Sequence, residues 1–258
     1  MDLTFKEKFL QLWAKYFGYA ELPITFYYTS GETDVPAANT PKGKNCLIGN
    51  LAKVRKGASL YFTGETISCG GGRKYTGFAD RLRPGFEYFL SCGNETIEGE
   101  RYKQTPQLVT EYLRHQPEFS KKGEKLVFRR WDTLEEQDTP EVVIFFASPD
   151  VISGLFTLAN YDFPGLDGVI TPFGAGCTSI IQYPYQEGFR EQPRAVIGMF
   201  DPSARPFVPG NVLTFAVPMK RFETMVEHME ESFLITPTWK VIKNRMDRNN
   251  PHSGEIGD

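Results

Sequence analysis

Residues 142–150 read Val-Val-Ile-Phe-Phe-Ala-Ser-Pro-Asp. Six apolar residues, rich in β-branched and aromatic types, are far short of the roughly 18 that a membrane-spanning helix needs. Stopped at once by Ser148, Pro149 and Asp150, they read as a buried strand. The three stopping residues in turn open a helix. Serine suits the cap, proline suits the first turn where its missing N–H costs nothing, and an acid suits the positive end of the helix dipole. That helix runs to about Asn160, so a strand feeds straight into a helix here.

Working outward, the other strands follow one another more often than they alternate with helices. Further strands are expected over 23–29, 60–63, 86–90, 125–131, 195–200 and 212–217. Helical spacing of Phe5, Phe9, Leu12, Trp13 and Tyr16 predicts a helix over about 4–17, ending near Gly18. Leu47, Ile48, Leu51 and Val54 predict a second over 46–56, stopped at Gly57. Thr105-Pro106 opens a third, with Leu108, Val109, Tyr112 and Leu113 on one face, and Pro218 begins another. The polar stretch 30–43 can form only a long loop. Hairpin-like successive strands mixed with strand-helix steps give an α+β fold, with a mixed, largely antiparallel sheet covered by helices. Residues 1–247 form one compact unit or two intimately packed halves, and 248–258 a loose C-terminal tail.

Charge and termini narrow the function. With 29 Lys and Arg against 32 Asp and Glu, the net charge is −3. No basic field exists to gather nucleic-acid phosphates or an anionic membrane. No nucleic-acid or membrane partner is expected, while a small molecule or anion fits. The start Met-Asp-Leu-Thr-Phe-Lys-Glu-Lys lacks the basic and then apolar pattern of an export signal. A cytoplasmic protein with reduced thiols is therefore expected, its four cysteines being too sparse for a secreted disulfide framework.

Three of those cysteines sit at loop-to-helix junctions: Lys44-Asn-Cys46, Ser68-Cys69-Gly-Gly-Gly72 and Gly174-Ala-Gly-Cys177-Thr-Ser179. Unpaired backbone N–H groups at a helix start favour a thiolate, which is both nucleophile and metal ligand. The simpler reading of each is a small buried hydrophobe. Glycines beside two of them favour a site, since they let the backbone approach a cluster, a metal or an anion.

The candidate metal ligands are thus Cys46, Cys69 and Cys177, with Gly70, Gly71, Gly72, Arg73 and Thr178 lining the open side. With three histidines and no Cys-x-x-Cys pair, a zinc finger is a poor match. Thiolates from distant segments suit an iron-sulfur cluster or another thiolate-bound metal with one open coordination position. Thiolate bonds of about 2.3 Å require the sulfurs to lie within roughly 4 Å of one another, with Cys92 outside the group. Two rivals stand beside this reading. One is a metal-free module that binds a small anionic metabolite on a nest of glycine N–H groups at 70–73. The other is a structural or subunit protein whose cysteines only pack. Asn160-Tyr-Asp162 and Asp201-Pro-Ser-Ala-Arg205 stand where clefts form, but such residues usually cap or turn.

The segments Cys46-Leu-Ile-Gly-Asn-Leu-Ala52, Tyr61-Phe-Thr-Gly-Glu-Thr-Ile-Ser-Cys-Gly-Gly-Gly72, Gly174-Ala-Gly-Cys-Thr-Ser179 and Phe215-Ala-Val-Pro218 resemble the uncharacterised domain-of-unknown-function family 169, also called an archaeal conserved region. The likeness runs from about residue 5 to 235. It implies a cytoplasmic bacterial or archaeal protein and places Cys46, Cys69 and Cys177 on the family's cysteine positions. Gly70 stands where many members carry proline. The resemblance implies no activity.

Overall fold

The computed structural model describes residues 1–40, 43, 45–120 and 122–248. Its centre is a seven-stranded sheet of β1 (Ile24–Thr29), β2 (Leu60–Phe62), β3 (Lys125–Arg130), β4 (Val142–Ala147), β5 (Val169–Ile170), β6 (Ala195–Gly198) and β7 (Leu213–Pro218). The order is β2-β3-β1-β4-β7-β6-β5. Every neighbouring pair is antiparallel except β5 with β6. The α+β class, with a mixed and largely antiparallel sheet, is therefore the observed one.

β4 sits mid-sheet and is buried along its whole length. Because successive side chains point to opposite faces, Val143, Phe145 and Ala147 enter one core and Val142, Ile144 and Phe146 the other. The first core is closed by α1 (Leu3–Phe17), α6 (Pro149–Ala159), α8 (Met219–Glu227) and α9 (Pro237–Arg248). It is rich in aromatics, with Phe9, Trp131 and Phe222 edge to face at 5.0 and 5.1 Å. The second core lies under α2 (Leu47–Arg55), α3 (Gly70–Tyr75) and a helical run at 176–187. Within that run, Thr178–Gln182 is π-helical and is followed by α7 (Tyr183–Glu187).

Several element boundaries follow the sequence signals. Gly18 and Gly57 adopt positive φ (62° and 99°) where α1 and α2 stop, and the Thr105 side chain caps α5 (Pro106–His115). Ser148 takes the cap position of α6, although its hydroxyl makes no capping bond.

Other expectations are corrected. Residues 86–89 form the short helix α4 (Phe86–Phe89), not a strand. Gly85 starts it in the left-handed conformation, and Arg83 stacks on Phe89 at 4.4 Å; an apolar run of five residues does not distinguish the two element types. Residues 70–75 are helical, not a loop. Strand 195–200 stops at Gly198, because Met199 turns to φ 69°. The helix after Pro218 ends at Glu227, and α9 follows as a separate helix that occupies Arg248; the rest of the expected tail, 249–258, lies outside the described residues. No helix among the described residues is long and apolar enough to cross a membrane.

Candidate thiol site

Each of the three junction cysteines stands at a helix entrance. Cys46 is the cap residue of α2, Cys69 of α3 and Cys177 of the π-helical turn. The Cys69 sulfur accepts from the Gly72 amide at 3.5 Å, whereas the Cys46 side chain makes no capping bond. The expected link between helix start and sulfur is thus present at Cys69 and not at Cys46 or Cys177.

Local bonds bring the entrances together. The Asn45 amide donates to Ser68 Oγ at 2.8 Å, and that hydroxyl donates back to the Asn45 carbonyl at 3.2 Å. This ties the residue before Cys46 to the residue before Cys69. Gly176, next to Cys177, lies against α2: a Cβ added there would stand 3.5 Å from Ile48. Its amide donates to Asp201 Oδ2 at 3.0 Å. Asp201 also holds its own turn, accepting from the Ser203 amide and hydroxyl at 2.9 and 2.7 Å. It therefore caps, as its sequence context suggests, and also closes the site.

The electrostatics match this convergence. Burial pushes the Cys177 thiol well up, and Cys46, Cys69 and Asp201 push it further. Burial likewise raises Cys46, outweighing the Ile48 and Gly49 amides that pull it down, with Cys69 and Asp201 adding to the rise. The thiolate stabilisation expected at the Cys46 helix start is outweighed by desolvation. Cys177 is 7% exposed, whereas Cys46 and Cys69 are half-buried, so the group opens on one side. All four cysteines are free, and Cys92 is exposed, its sulfur directed at the Gly93 carbonyl.

As a donor set, soft thiols that share one desolvated place suit a soft metal or a cluster. Their spacing is not that of a ready-made site: among the described residues no three His, Cys, Asp or Glu side chains form a metal-holding group.

The expected lining residues are distributed unevenly. Gly70, Gly71 and Gly72 form the first turn of α3 and all have negative φ, so they do not make the expected nest of N–H groups. Gly71 and Gly72 lie against Cys69, an added Cβ standing 3.9 and 4.0 Å from its sulfur; Gly72 also has Ile67 at 2.9 Å, which explains its small size. Arg73 is exposed. Thr178 is fully buried beside Cys177, and its hydroxyl has no hydrogen-bond partner among the described residues.

A group of phenols next to the thiols is not legible in the sequence. Tyr75 on α3, Tyr112 on α5 and Tyr183 on α7 meet around Gln116, whose side-chain amide donates to Tyr112 at 2.6 Å. Burial raises all three phenols, and Tyr75 also feels Cys177 and Asp201. They come from three separate elements, so no spacing marks them. In the structure, the π-helical turn beside them is the feature that draws attention to this place, since π turns often occur at functional sites.

The model of the family described as DUF169, uncharacterised ArCR, matches residues 14–228. The chain belongs to this DUF169 family. The match spans all three site cysteines and every strand of the sheet. No curated protein and no solved structure matches this DUF169 chain.

Proposed function

We propose that the protein is a cytoplasmic redox or small-molecule protein that holds a thiolate-bound centre, an iron-sulfur cluster or another soft metal, on Cys46, Cys69 and Cys177, with one coordination position open. What supports this reading is that cysteines from three distant segments stand at helix entrances, two of them tied through Asn45 and Ser68 and the third next to Gly176, which lies against α2. Plain packing requires only that each thiol be buried somewhere. It does not require the residues before two of them to be tied by reciprocal hydrogen bonds. Cys46, Cys69 and Cys177 would hold the centre as thiolates, so binding would displace their protons. When bound, such a centre supplies electron transfer or Lewis acidity at its open position. The chain's own residues exclude water on the Cys177 side and position Asp201 and Thr178 beside the sulfurs.

Anaerobic purification followed by iron, sulfide and metal analysis tests this. Near-stoichiometric metal is expected, with a thiolate-to-metal absorption band that bleaches in air. Colourless protein that takes up no metal on anaerobic reconstitution sinks the reading.

A further inference from the structure

Gly70 and Gly71 have no steric reason to be glycine. Neither takes a positive φ, and an added Cβ meets nothing within 4 Å at Gly70 and only the Tyr75 ring at 3.5 Å, an ordinary contact, at Gly71. Alanine fits both positions, and glycine is the poorest helix former after proline. The first turn of α3 is therefore weaker than its surroundings require. Gly72 differs: an added Cβ would fall 2.9 Å from Ile67, and its carbonyl accepts from the Thr76 hydroxyl at 2.7 Å, which fixes the helix from that residue on. Opening is thus confined to 70–71, directly after Cys69. There it releases the Arg73 amide from the Cys69 carbonyl (2.9 Å) and the Gly72 amide from the Cys69 sulfur (3.5 Å).

The neighbour of this weak turn is Cys46. It stands at the start of α2, whose Leu47, Ile48 and Leu51 are buried, so it keeps its place while Cys69 moves. The reciprocal bonds of Asn45 and Ser68 hold the two segments together just ahead of both cysteines, and the Cys46 thiol feels the charge of Cys69. Both thiols are free and half-buried, which leaves them within reach of a small oxidant. Cys177 is 7% exposed, and burial keeps its thiol protonated and so a poor nucleophile. Cys92 is exposed on the turn after α4, its sulfur at the Gly93 carbonyl.

We propose that Cys46 and Cys69 are a redox pair that closes to a disulfide on reaction with a hydroperoxide, with Gly70 and Gly71 as the hinge that carries Cys69 to Cys46. Burial raises the Cys46 thiol, so Cys69 reacts first. Its thiolate attacks one oxygen of hydrogen peroxide: the S–O bond forms, the O–O bond breaks, and the departing hydroxide takes a proton to become water. The Cys46 sulfur then attacks that of Cys69. The S–S bond forms, the S–O bond breaks, and hydroxide leaves as water with the Cys46 proton. Two thiols lose two electrons, and one peroxide becomes two waters. The pair shares its sulfurs with the proposed metal centre, but it needs only these two thiols and stands whether or not metal binds.

Stoichiometric hydrogen peroxide added to the metal-free full chain tests it, read by thiol titration and non-reducing peptide mass spectrometry. Free thiols are expected to fall from four to two, with the Cys46 and Cys69 peptides linked and dithiothreitol restoring both. Cys177→Ser should close the link like the parent. Gly70→Ala combined with Gly71→Ala should melt higher yet close it about tenfold more slowly, because the opened turn is rarer. Absence of a Cys46–Cys69 link overturns the proposal, as does Cys69 passing to sulfinic acid instead or a link that depends on Cys177. Closure at the parent rate in the double variant overturns the hinge. Metal content of separately reconstituted samples distinguishes the two ideas. Protein that takes up no metal but forms the link retains the pair and loses only the thiolate centre, and metal uptake without the link does the reverse.

Discussion

The Ser68 hydroxyl accepts from the Asn45 amide at 2.8 Å and donates to the Asn45 carbonyl at 3.2 Å. Each of these residues immediately precedes a site cysteine, so the pair acts as a clip that sets Cys46 beside Cys69. Ser68→Ala removes both bonds. Asn45 is exposed and Ser68 half-buried, so the stability cost should be about 1 kcal/mol or less. Metal uptake on reconstitution should fall much more than the melting temperature does. Uptake equal to that of the parent would falsify a positioning role for the clip.

A second expectation concerns pH. Burial, and then the neighbouring thiols and Asp201, hold Cys177 above the ordinary thiol range, and burial also raises Cys46. A thiol whose folded pKa exceeds its unfolded value of about 8.5 favours the folded state only while protonated. Metal-free protein should therefore have this contribution in full below the unfolded value and lose it as pH rises through the folded pKa. Metal affinity should move the other way, climbing with pH because each thiol must release its proton to bind. Thermal melts and competitive metal titrations between about pH 7 and pH 10 read both slopes. A flat affinity profile excludes these thiols as ligands.

The first core offers a test independent of the site. Gly154 faces Trp239 so closely that an added Cβ would fall 2.3 Å from its ring and 2.9 Å from Phe17. The Trp239 indole is itself fixed, donating to the Tyr16 carbonyl at 2.8 Å. Gly154→Ala should thus destabilise by about 1 to 3 kcal/mol through overpacking, despite alanine's better helix propensity. Denaturant melts check this, and a stabilised variant would show that α9 shifts freely on α6.

Residues 142–150 carry enough to place the central strand and the helix after it, because six buried side chains and a three-residue helix start are both local signals. The cysteine junctions are legible for the same reason, since a helix entrance is written in the few residues around it. What the sequence does not reveal is assembled across the fold. Tyr75, Tyr112 and Tyr183 come from three helices, and nothing in their own neighbourhoods distinguishes them from core aromatics. Gly70 to Gly72 mislead in the opposite direction: three glycines argue for a turn, whereas Gly72 is small to clear Ile67 and the Cys69 sulfur caps the resulting helix. Among the described residues Phe86 to Leu90 has no partner strand, which no reading of its own residues could show.

The last prediction turns on Thr178. Its hydroxyl is fully buried and has no partner among the described residues, an arrangement that costs about 1 to 3 kcal/mol relative to an apolar group of the same shape. Valine supplies that shape. Thr178→Val should therefore stabilise the free protein, because it removes a desolvated hydroxyl and leaves the branched packing in place. The same change removes a hydroxyl next to Cys177, so metal uptake on reconstitution should weaken even as the melting temperature rises. A gain in stability with a loss of binding is what a group retained for a ligand produces. Paired melts and titrations of the parent and the variant decide it. Stabilisation with unchanged metal uptake takes Thr178 out of the site, and destabilisation shows that the hydroxyl has a partner in the folded protein.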